Sequence, residues 1–128
     1  MDIPRLRATD KEIFEVVTLY FVHHNIEFLI HKGKWTTNIV GNTLKMHFRF
    51  DDSGKKNPKL EVLIQDKVEG KKNFMYFDFA ESSPYSIIKD ILGFLVQRIV
   101  DLKLNTSRSF DPNWKRLLNK LLELTLEV

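Results

Sequence analysis

The sequence reads as a single two-layer α+β domain in which helices lie against one face of an antiparallel sheet. Three features carry that reading. Apolar residues keep a helical period up to His24 and again after Pro84, and alternate strictly in between. The dipeptides Lys32-Gly33, Gly41-Asn42 and Glu69-Gly70 punctuate the alternating stretch where two-residue hairpin turns would fall. One choice of inward-facing residues, carried from strand to strand through those turns, keeps the apolar side chains together.

The N-terminal helix is expected at Asp10 to His24, where Thr9 and Glu12 have capping-box spacing and Ile13, Val16, Val17, Tyr20 and Phe21 keep helical period. Pro4, Arg5 and Arg7 precede it as a short arm. A five-stranded antiparallel meander should follow, with strands at Ile26 to His31, Lys34 to Val40, Thr43 to Phe50, Lys59 to Val68 and Lys71 to Ala80. Pairing His31 with Lys34 and Val40 with Thr43 sends Ile26, Phe28, Ile30, Trp35, Ile39, Leu44, Met46, Phe48 and Phe50 to one side. Pairing Val68 with Lys71 groups Leu60, Val62, Ile64, Met75, Phe77 and Phe79 in the same way. The longer link Asp51 to Pro58 is polar and rich in lysine.

The long helix, Pro84 to Leu104, should pack on the inward sheet face. Its stripe of Ile88, Ile91, Leu92, Leu95, Ile99 and Leu102 is widened by Ile87, Phe94 and Val96, so it needs cover from at least two sides. Ser82 or Ser83 can cap its start, Pro84 suits its first turn, and Asn105 follows its last periodic residue. Gly93 is either a close-packing point or a tolerated imperfection, costing about 1 kcal/mol against alanine. A C-terminal helix is expected from the cap Asp111 and Pro112, carrying Trp114, Leu117, Leu118, Leu121, Leu122 and Leu124.

At 128 residues the chain can bury a core without metals or disulfides. It has no cysteine, which removes thiolate nucleophiles, zinc fingers and iron–sulfur sites and suits the cytoplasm or another reducing compartment. No apolar run is long enough to span a bilayer, and the first residues lack the apolar core of a secretory signal. Net charge is +3, but residues 31 to 72 hold 10 basic and 5 acidic groups, so the positive excess lies in the middle of the chain.

Catalytic and cofactor motifs are missing from the sequence: it has no phosphate-binding glycine loop, nucleophile elbow or histidine–glutamate zinc motif. His23, His24, His31 and His47 are scattered, and neighbours such as His23 and His24 point apart on a helix, so no metal is expected. Asp51-Asp52-Ser53-Gly54 reads as turn chemistry. The expectation is a small non-catalytic protein, an adaptor or regulator, that binds another protein through Trp114, Leu118 and Leu122, with a homodimer as one form of that contact.

The alternative is single-stranded DNA or RNA binding by the outward sheet face. That face would carry Lys34, Lys45, His47, Arg49, Lys59, Lys67 and Lys72 with Phe74 and Tyr76, against Glu27, Glu61 and Asp78. Cations would neutralise phosphates while the rings stack on bases. The blander reading of the same residues is the solvated side of an antiparallel sheet.

Overall fold

The computed structural model describes residues 8–24, 29–52, 58–105 and 114–128. Its elements follow the expected order: α1 (Ala8–His24), β1 (Leu29–Lys32), β2 (Thr36–Val40), β3 (Leu44–Asp51), β4 (Lys59–Asp66), β5 (Lys72–Asp78), α2 (Pro84–Asn105) and α3 (Trp114–Glu127). The strands form one antiparallel five-stranded sheet in the order β1-β2-β3-β4-β5. Ile26, Glu27, Phe28, Ser53, Gly54, Asp111, Pro112 and the N-terminal arm lie outside the described residues.

The three hairpins correct the turn assignment. His31 pairs with Asn38, four residues beyond Lys34, and Val40 pairs with Lys45, two beyond Thr43. Gln65 pairs with Lys72, so the β4–β5 register also sits two residues from the one a Val68–Lys71 pair would impose. The first two turns keep two residues but move along the chain, with Lys34-Trp35 between Gly33 N–H and Thr36 C=O and Asn42-Thr43 between Gly41 N–H and Leu44 C=O, while the third widens to four residues between Asp66 N–H and Lys71 C=O. Every slide is by an even number, and side chains alternate with a period of two, so the inward set is unchanged. Met46 stands opposite Ile64, Phe48 opposite Val62 and Phe50 opposite Leu60.

The inner face meets the helices in a single core. Phe21 of α1 packs its ring on Phe48, with centroids 5.5 Å apart, and Phe14 meets Trp35 and Phe50 edge-on. α2 lies beside both α1 and α3, and its wide stripe is covered as required: Ile87, Ile88, Ile91, Leu92, Leu95, Ile99 and Leu102 are buried, with Phe94 and Val96 packed at the margin. Each fully buried side chain of this size contributes about 1.5–3 kcal/mol before conformational entropy is subtracted.

The ends of the helices need small adjustments. Ser83 caps α2, its Oγ accepting the Ser86 N–H at 3.1 Å. α1 begins at Ala8, so Thr9 lies inside the first turn rather than at the cap, and Asp10 brings negative charge to the positive end of the helix. Gly93 is not a close-packing point, because a Cβ there would meet nothing within 4 Å.

Candidate binding face

Antiparallel register arranges the outer sheet face in rows that run across the strands. One row is Leu29, Val40, Lys45, Gln65 and Lys72; the next is His31, Asn38, His47, Leu63 and Phe74. Then come Thr36, Arg49, Glu61 and Tyr76, and finally Asp51, Lys59 and Asp78. The order of the rows grades the face from lysine at one end to carboxylate at the other. Among the described residues, no helix lies on this side.

Phe74 and Tyr76 stand two residues apart on β5, 54% and 55% exposed, with ring planes 11° from parallel and centroids 6.4 Å apart. Lys72 precedes them on the same strand and face, and Lys45 shares the row of Lys72; both lysines are exposed. The His47 imidazole lies between Lys45 and Arg49 on β3 and donates from Nδ1 to Asn38 Oδ1. Burial lowers the His47 pKa below the ordinary histidine value, the carboxylate of Glu61 opposes that, and Arg49 and Lys45 reinforce it.

Arg49 and Lys59 take different positions from the ones their charge suggests. The Arg49 guanidinium binds Glu61 through two nitrogens, Nε to Oε1 at 3.2 Å and Nη2 to Oε2 at 2.8 Å, and reaches Asp51 at 3.6 Å. The Glu61 hydrogen bond leads the effects that raise the arginine's pKa. Lys59 is flanked across the neighbouring strands by Asp51 and Asp78. Tyr76 also belongs to this group: partial desolvation, then the charge and hydrogen bond of Glu61, push its hydroxyl above the ordinary tyrosine range. Of the remaining expected members, Lys34 lies in the β1–β2 loop and Lys67 in the β4–β5 turn, off the strands, while Glu27 is outside the described residues.

The C-terminal helix keeps part of the expected interface for the chain's own core. Trp114 and Leu118 pack against that core, with Lys103 Nζ 5.1 Å and Lys115 Nζ 5.7 Å from the Trp114 ring centroid. Leu121 and Leu124 are buried, whereas Leu122 is 42% exposed and Leu126, one turn on, 87%.

One cluster is absent from the sequence reading. Asp66, at the inward end of β4, is completely buried and accepts the N–H groups of Val68, Glu69, Gly70 and Lys71, holding a turn in which Gly70 has φ +76°. Arg98 of α2, 11% exposed, donates Nη2 to Asp66 Oδ2 at 2.7 Å and to Glu69 Oε1 at 3.1 Å. Burial acts to raise the Asp66 pKa, but the Arg98 hydrogen bond, the Glu69 and Gly70 amides and the Arg98 charge outweigh it and hold the carboxyl below its ordinary value. The signal in the sequence was a carboxylate continuing the inward register of Leu60, Val62 and Ile64.

Among the described residues no group of histidine and carboxylate side chains is placed to hold a metal ion, and no helix is long and apolar enough to cross a membrane. No protein-family model, curated protein or solved structure matches the chain.

Proposed function

We propose that this protein acts by binding a macromolecule rather than by catalysis, that the outer sheet face is its working surface, and that single-stranded nucleic acid is the occupant. The observation that carries this reading is the parallel, half-exposed pair Phe74 and Tyr76 beside Lys72 and Lys45. Two rings presented side by side offer stacking surfaces to successive bases of any identity, and adjacent ammonium groups serve the phosphates between them. Phosphate contact falls to Lys45 and Lys72, because Arg49 is already engaged by Glu61 and Lys59 lies between carboxylates. The carboxylate end repels the backbone, so the strand lies toward the lysine end. The absence of cysteine suits work in a reducing compartment such as the cytoplasm.

Fluorescence anisotropy with labelled single-stranded DNA and RNA at two salt concentrations tests the proposal. Two phosphate contacts give a log–log salt slope of about −1.4 for a single strand, and Phe74→Ala weakens binding further. Binding that ignores both salt and Phe74 overturns it.

Leu122 and Leu126 support a second reading, a protein partner on α3 as adaptor or regulator. Alanine at Leu122 and Leu126 would then abolish partner capture while leaving oligonucleotide binding intact; capture unchanged by both substitutions removes this surface.

A further inference from the structure

We infer that two copies of this chain join edge to edge through β5, so that their sheets become one continuous sheet. The inference does not rest on nucleic-acid binding.

The two edges of the sheet differ. β1 is four residues long and ends in His31 and Lys32, a short, polar edge of the kind that discourages pairing. β5 is seven residues long, and its central run Asn73-Phe74-Met75-Tyr76-Phe77 contains no charge and no proline. Nor does a described strand lie on its outer side.

Backbone direction limits the registers that can form. The C=O of Lys71 accepts from Asp66, so the odd-numbered residues of β5 turn their peptide groups toward β4, and Lys72, Phe74 and Tyr76 turn theirs outward, as does Asp78, whose C=O already accepts the Glu81 N–H. A twofold antiparallel pairing centred on Met75 uses these outward groups. It sets Lys72 against Asp78 of the second copy at both ends, and Phe74 against Tyr76 of the second copy on either side of the centre. Opposite charges and aromatic rings are the favourable cross-strand partners. Centring on Phe74 or Tyr76 instead leaves both charges without complements.

Burial on the inner face points the same way. Leu60, Val62 and Ile64 of β4 are completely buried, yet their neighbours Met75 and Phe77 on β5 are only partly covered. A second sheet would seal that margin.

Light scattering and sedimentation of the full chain, without nucleic acid, should give twice the 15.1 kDa chain mass at high concentration. Lys72→Asp faces Asp78 of the other copy with a like charge and should weaken the dimer about tenfold. Adding Asp78→Lys in the same chain restores complementarity and the dimer. Phe74→Pro removes an outward N–H while leaving the β4 ladder intact, so a folded, monomeric variant is expected, with circular dichroism checking the fold. A chain that is monomeric at all concentrations overturns the inference. So does a dimer indifferent to Lys72→Asp and Phe74→Pro, or a double variant that fails to recover.

Discussion

The two faces of the sheet are built from the same strands and obey opposite rules. On the inner face Phe48, Val62 and Ile64 are sealed under α1 and α2, and the carboxylate of Asp66 is buried with the Val68, Glu69, Gly70 and Lys71 amides and Arg98 directed at it. On the outer face Arg49 binds Glu61 while remaining 39% exposed, and the aromatic pair stands in solvent. Charge inside the molecule is held by geometry that leaves no alternative; charge outside is shared among neighbours and screened by water. The inner face therefore carries the stability and the outer face the capacity to bind.

The largest test of that division is Phe48→Ala, which should cost about 3–5 kcal/mol in urea unfolding, against a change within about 0.5 kcal/mol for Tyr76→Ala on the outer face. Equal losses would erase the contrast. Removing one partner of a buried pair strands the other, so Asp66→Ala should cost about 3 kcal/mol or more. Its pH signature follows from a pKa depressed by folding: the contribution is fully present above the ordinary carboxyl value of 3.8 and is lost as pH falls through the lower folded value. The acid limb of the stability profile should flatten in the variant. His47, also depressed, contributes stability above the ordinary value of 6.5 that fades as pH falls through its folded value, and His47→Gln should remove that slope.

On the outer face the expected loss is in affinity: Tyr76→Ala should weaken single-strand binding by about 1–3 kcal/mol for the stacked base. The last effect has the opposite sign. Gly93→Ala, in an exposed helical position with open space around it, should raise stability by about 1 kcal/mol.

Which residues face inward was readable from the chain because alternation survives any even shift of register. The turns were less readable: Lys32-Gly33 and Gly41-Asn42 suit a two-residue hairpin locally, and only pairing along whole strands moves those turns on to Lys34-Trp35 and Asn42-Thr43. The β3–β4 register follows a long link whose sequence does not set it, so the pairing of Arg49 with Glu61, and with it the loss of a phosphate contact, could not be read from composition. Leu118 and Leu122 are equivalent as leucines on a wide stripe; their separation into covered and exposed is set by tertiary packing, which the chain alone does not show. Arg98 fell on the same stripe as Leu95 and Leu102, but its partner lies on another element.

That partner is 32 residues away along the chain, which gives the Asp66–Arg98 pair a place in time as well as in space. The turn after β4 can close on Asp66 alone, using amides only a few residues distant. Arg98 arrives only once α2 has docked, after the entropy of the intervening segment has been lost. An interaction completed that late holds the folded state against opening while doing little to speed its assembly, so Arg98→Met should accelerate unfolding and leave the refolding rate nearly unchanged.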